Sequence, residues 1–138
     1  MEQRNLISDT KQEEERPAVL VAACLAGIPC RYHGQAAPPR TKLLERLAKK
    51  HRIIFVCPEQ LGGLSTPRPP ARWKGGRLWA AGQDVTEAFE RGARLALEEA
   101  QAAGALAFYG LRSSPSCDPK NGVTARLFAQ KGLACRFG

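Results

Sequence analysis

The chain has 138 residues, 43% of them hydrophobic, with five cysteines and a formal net charge of +8. That length supports one domain with a real core, and that composition excludes global disorder. No apolar run approaches the roughly 20 residues needed to cross a bilayer as a helix.

The charge is unevenly placed. Residues 1–16 hold three basic side chains (Arg4, Lys11, Arg16) and five acidic ones (Glu2, Asp9, Glu13, Glu14, Glu15). The remaining 18 basic and 8 acidic side chains leave residues 17–138 at +10. Residues 1–16 are expected to form a flexible, solvated tail, and residues 17–138 a single domain. A basic body suits an anionic partner such as a nucleotide, a nucleic acid or a phosphorylated metabolite; the same charge also serves solubility alone. "VAAC" at residues 21–24 resembles a lipoprotein cleavage site, but the acidic tail and the short apolar segment before it argue against a secretory signal. An odd number of cysteines without such a signal argues against a disulfide framework and fits a reducing cytoplasm. No Cys-x-x-Cys pair occurs, which weakens the zinc-ribbon and thioredoxin-like alternatives.

In chain order, "AVLVAA" (18–23) is the first apolar run that predicts a strand. "TKLLERLAKK" (41–50) follows, with Leu43, Leu44, Leu47 and Ala48 on one helical face. "RIIFVC" (52–57) predicts a second strand. "GGRLWAAG" (75–82) suggests a short edge strand or hairpin. "DVTEAFERGARLALEEAQAAG" (84–104) reads as a helix opened by Asp84 and Glu87 as a capping-box-like pair and closed by Gly104. "ALAFYGL" (105–111), a helix over "GVTARLFAQKG" (122–132) and a last strand, "LACRF" (133–137), complete the pattern. The four strand runs lack clean alternation, as in strands covered on both faces. The fold expected is α/β: a small three-layer Rossmann-like domain with a mostly parallel sheet.

In such sheets ligands sit beyond the carboxyl ends of the strands. Cys24 follows the first strand, Cys57 ends the second, and Cys117 lies in "LRSSPSC", the loop leaving the third. Three dispersed thiols on one sheet edge suggest a metal or iron–sulfur site, although free cysteines also serve as small buried hydrophobes. Cys30 reaches the same site or packs, and Cys135 is expected in the core. Glu59, beside Cys57, suits a proton shuttle or a solvated loop acid. Gly62 and Gly63 let backbone N–H groups approach a ligand. Prolines hold Arg68 in an extended path, and with Arg72, Lys74 and Arg77 it forms a candidate phosphate-binding stretch. Trp73 and Trp79 are expected to be at least semi-buried, with base stacking the alternative. His51 complements the dipole at a helix C-terminus.

"VAACLAGIPCRYHG", "VCPEQLGGLSTPRPPA", "GQDVTEAFERGA", "SPSC" and "NGVTARLFAQKG" follow one another in that order. Together they resemble the TudS-type thiouracil desulfidases over nearly everything from residue 18 onward. The resemblance implies a 4Fe-4S cluster on Cys24, Cys57 and Cys117, with Cys30 outside the ligand set. It implies removal of sulfur from a thiolated nucleobase or nucleotide (2- or 4-thiouracil, 4-thiouridine monophosphate), giving uracil or UMP and hydrogen sulfide without net electron transfer. Catalytic help is assigned to Glu59, Ser114 and Ser116, and substrate binding to Arg31, Gly62, Gly63, Arg68 and Asp84. The chain departs from the family pattern at His33, where an acid is usual, at Leu111 and Asp118, and in the short "DPKN" loop after Cys117. The rival expectations are a non-catalytic basic nucleotide- or RNA-binding module with a structural cluster or zinc, and a thiol redox protein.

Overall fold

The computed structural model describes residues 15–35, 37–112 and 114–137. The expected tail therefore lies, through residue 14, outside the described residues. Strand β1 (Ala18–Ala22) is buried at every position and forms the centre of the molecule. Its order in the sheet with β2 (Arg52–Val56), β6 (Ala107–Gly110) and β7 (Ala134–Phe137) is β2-β1-β6-β7, and every pairing is parallel. Parallel neighbours need crossover helices. These are α1 (Thr41–Ala48) between β1 and β2, α3 (Thr86–Ala103) before β6, and α4 (Val123–Gln130) before β7. The path steps from β1 out to β2 and then back past β1 to β6. Right-handed crossovers put α1 on one face and α3 with α4 on the other. Accordingly α1 packs on β2, α3 packs along α4 and touches β1, and α4 packs on β7.

The core is a cluster in which Val19, Leu20 and Val21 of β1 meet Phe108, Phe128, Leu43 and Leu47. Phe108 and Phe128 pack edge to face with centroids 5.3 Å apart, a favourable arrangement of ring quadrupoles.

Several expectations are corrected. The run at 52–57 is not covered on both faces: β2 lies at the sheet edge, with Phe55 42% exposed. Position in a sheet, not apolarity, decides coverage, and both edge and centre positions accept β-branched residues. Helix α3 begins at Thr86 and has no side-chain cap at Val85. Asp84 instead lies on β5 (Gln83–Asp84), where it pairs with Arg77 and accepts the Thr86 N–H at 3.0 Å. The suggested hairpin is larger than expected: β3 (Arg72–Lys74), β4 (Arg77–Ala80) and β5 form a separate antiparallel sheet. Its two-residue turns, Gly75-Gly76 and Ala81-Gly82, carry positive φ throughout, as type I′ turns require. Trp73 and Trp79 are 42% and 38% exposed on this sheet. Arg126 sits 5.4 Å from the Trp73 ring centroid.

Candidate metal and substrate site

Three strand ends converge as the parallel order dictates. β1 runs into a 3-10 turn (Ala23–Ala26) that carries Cys24. β2 ends at Cys57, which caps the short helix α2 (Pro58–Leu61), with Pro58 in its first turn and Glu59 behind it. The loop leaving β6 carries Cys117. All three cysteines line one cavity of about 290 Å³, and Cys30 lines it with them. Ala22, Val56, Leu111 and Ala71 form apolar wall, while Arg31, Tyr32, Arg72 and Arg112 supply polar and aromatic groups.

The thiols influence one another. The Cys30 thiol donates to Cys24 and pushes its pKa down; Cys30 itself is pushed up to about 11. Its bond to Cys30 pushes Cys57 up, and burial followed by the nearby Glu59 pushes Cys117 up. A ring of thiols around a cavity is a soft donor set. Among the described residues no three His, Cys, Asp or Glu groups meet closely enough to hold one metal ion. A lone zinc needs thiolates about 2.3 Å from the metal. Donors spread around a cavity instead fit a cluster of several irons, so the residues present suit an iron–sulfur centre.

Glu59 is held by Arg68, with Nη2 to Oε1 at 3.2 Å, and the two side chains are only 15% and 6% exposed. Burial raises the Glu59 pKa while Arg68 and Arg31 oppose the shift. The Arg68 guanidinium also donates to the Cys30 carbonyl at 3.0 Å, the Ser65 carbonyl at 3.0 Å and Thr66 Oγ1 at 2.9 Å. Its backbone N–H reaches the Tyr32 carbonyl at 2.6 Å. Arg68 therefore fastens the proline strap to the Cys30–Tyr32 turn and positions Glu59. Buried guanidinium donors require fixed acceptors; Arg68 lies outside the thiol cavity and lines a neighbouring one with Glu59, Ser65 and Pro69.

The other assigned residues separate in the same way. Arg31 and Ser114 line the thiol cavity. Ser114 Oγ accepts the Cys117 N–H at 3.0 Å and the Ser116 N–H at 3.3 Å, so it also shapes the turn that presents Cys117. Ser116 is wholly buried and shares a 3.0 Å hydrogen bond with Thr124. It ties that turn to the start of α4. The short loop is closed by Asp118, whose Oδ1 accepts the Lys120 and Asn121 N–H groups at 2.9 and 3.1 Å.

Gly62, Gly63 and Asp84 do not line the cavity. Gly62 has a packing reason: a Cβ there would collide with the Ala88 carbonyl, and one at Gly92 with the Pro58 carbonyl. The pair lets α2 press directly on α3, and Arg91 Nη1 donates to the Gly62 carbonyl at 2.9 Å.

Tyr32 and Arg112 were not anticipated at the cavity. Their signal was adjacency, Tyr32 to Arg31 and Arg112 to the third strand end. Arg77 is turned away to Asp84. Cys135 is half-buried, its thiol 3.7 Å from the Ala125 carbonyl, and lies against the core. His51 Nδ1 is 3.2 Å from the Leu47 carbonyl, at the end of α1 as expected.

Among the described residues no helix is long and apolar enough to cross a membrane. A profile of the 2-thiouracil desulfurase family matches residues 19–136. The uncharacterized protein YbbK of Bacillus subtilis (strain 168) is 35% identical over 139 residues, covering 83% of this chain and 91% of YbbK. The solved structure of the [4Fe-4S]-dependent thiouracil desulfidase TudS superposes with a TM-score of 0.81 at 34% identity, covering 88% of this chain and 90% of that one. With thiols gathered at three parallel strand ends and this match along the domain, the chain belongs to the 2-thiouracil desulfurase family.

Proposed function

We propose that the protein is a non-redox, 4Fe-4S-dependent desulfidase acting on thiolated pyrimidines: 2- or 4-thiouracil, or 4-thiouridine monophosphate. The observation that carries this reading is the convergence of Cys24, Cys57 and Cys117 on one cavity with Glu59 beside them. The net reaction replaces C=S by C=O: water adds, hydrogen sulfide leaves, and no electrons are exchanged. A cluster on those three cysteines supplies, at its remaining iron, a soft Lewis acid suited to a thiocarbonyl sulfur.

The chain's own residues do the rest. Tyr32 offers an aromatic face at the cavity to a flat ring. Arg31, Arg72 and Arg112 supply positive charge for oxygen atoms or a phosphate on the ring's substituents. Glu59 takes a proton from the water that adds to the ring carbon. Burial makes it a stronger base than an exposed carboxylate, and Arg68 fixes its direction. Ser114 can donate its hydroxyl to the ring while its oxygen holds the Cys117 turn. Ser116 acts through that turn, and Gly62, Gly63, Arg68 and Asp84 support the frame.

The test is anaerobic incubation with 4-thiouridine monophosphate and with 2-thiouracil. The thiocarbonyl absorbance should fade with release of one sulfide per substrate consumed. Glu59→Gln should lose about 10²–10⁴-fold in kcat while keeping the cluster absorbance. Persistent thiocarbonyl absorbance with a loaded cluster, together with salt-sensitive RNA binding, would replace this reading by the non-catalytic module.

A further inference from the structure

We infer that the second cavity lined by Glu59 is the entry by which water reaches this carboxylate while substrate occupies the thiol cavity. This rests on the desulfidase reading above. The second cavity has a volume of about 390 Å³ and shares Glu59 and Ala71 with the thiol cavity. Cys24, Cys30, Cys57 and Cys117 line the first, and Arg68 lines the second. Glu59 therefore stands where the two meet. The second cavity opens to solvent between the proline strap and the β4–β5 turn, at Ser65, Pro69, Ala81 and Gln83, all of them exposed. Its inner wall includes Ala80 and Phe89, which are buried.

The thiol cavity has its own mouth, and substrate closes it. Tyr32, Arg72 and Arg112 are exposed members of its lining, while Cys30, Val56 and Cys117 are buried. A ring seated with its sulfur among the thiols and its substituents at those exposed groups fills the path from solvent. Yet each turnover consumes one water. The water oxygen stays on the ring carbon, the C–S bond breaks, and both water protons leave with the sulfur as hydrogen sulfide. The second cavity lies clear of the substrate's path and still ends on Glu59. Its volume is well above the roughly 30 Å³ that one water occupies in the liquid. Ser65 and Gln83 at its open end and Glu59 at its inner end offer hydrogen-bonding partners. The charges of Glu59 and Arg68 offset each other, and Leu64, Val85 and Phe89 are apolar. Such a lining suits a small neutral molecule better than an ion.

Steady-state kinetics of the cluster-loaded full chain with 4-thiouridine monophosphate test this. Leu64→Trp and Gln83→Trp place an indole in the second cavity and leave the thiol cavity untouched. Each should lower kcat several-fold at unchanged KM, with the cluster absorbance of wild type. Leu64→Ala widens the same path and should keep the wild-type kcat, whereas a side chain that merely packed Glu59 in place would lose rate on truncation as well. Gln83 is exposed, so Gln83→Trp carries the test even where Leu64→Trp does not fold. Wild-type kcat in Gln83→Trp, a change confined to KM, or an equal loss in Leu64→Ala and Leu64→Trp overturns the inference. Loaded wild type that leaves the thiocarbonyl absorbance intact overturns the desulfidase reading itself; wild type that turns over beside an unaffected Gln83→Trp overturns only the role of the second cavity.

Discussion

Glu59 and Arg68 form a nearly buried ion pair, and removing Arg68 leaves the Glu59 carboxylate without its hydrogen-bonded partner. Breaking such a pair typically costs about 3–5 kcal/mol. Arg68 also satisfies the Cys30 and Ser65 carbonyls, so Arg68→Ala should fall in that range by denaturant unfolding. Adding Glu59→Gln to Arg68→Ala should recover part of the loss, because the stranded carboxylate is then neutral. Equal stability of wild type and Arg68→Ala would contradict the positioning role. At this scale the sequence was partly legible. The cysteines and Glu59 are residue types whose chemistry is evident wherever they sit at a strand end. The Arg68 partner was not evident, because an arginine among prolines reads as an anion binder until its acid is brought to it by another element. Tyr32 was hidden for a similar reason: an aromatic beside an arginine carries no sign of which way it faces.

At the scale of elements, α2 has only four residues and cannot hold itself together, since isolated short helices are marginal. It is stabilised by lying directly on α3 at the Gly62–Gly92 crossing. That contact sets the height of Cys57 and Glu59 relative to the sheet. Gly92→Ala should therefore destabilise by about 1–3 kcal/mol from overpacking, despite the roughly 1 kcal/mol that alanine gains over glycine within a helix. It should also lower the iron bound per chain, read by thermal melting and iron assay on the same preparation. A raised melting temperature with full iron would show that the helices do not press together there. The four strands were legible because their apolar runs are bounded by turns and helical spacing. The exposure of β2 was not, since Arg52–Val56 would read alike at the centre or at the edge. The three-stranded hairpin was only half visible: glycine pairs signal a turn, but Ala81 at φ 48° is set by the strands on either side of it.

Over the whole molecule, the decisive property is topological. Four parallel strands in the order β2-β1-β6-β7 bring the carboxyl ends of β2, β1 and β6 side by side. Thiols far apart in the chain then become neighbours around one cavity. This convergence could be read before any coordinates, because it follows from strand direction and not from side-chain detail. The excess of basic charge was equally plain, but its distribution between structural pairs and the cavity was not. Arg68 and Arg77 are engaged with acids, while Arg31, Arg72 and Arg112 line the site. The most direct test of the central claim is the iron and acid-labile sulfide content of anaerobically purified protein, with single alanine variants of four cysteines. The account predicts about four of each per wild-type chain, loss or depletion in Cys24→Ala, Cys57→Ala and Cys117→Ala, and full content in Cys135→Ala. Wild-type iron and sulfide content retained in all three strand-end variants would contradict it.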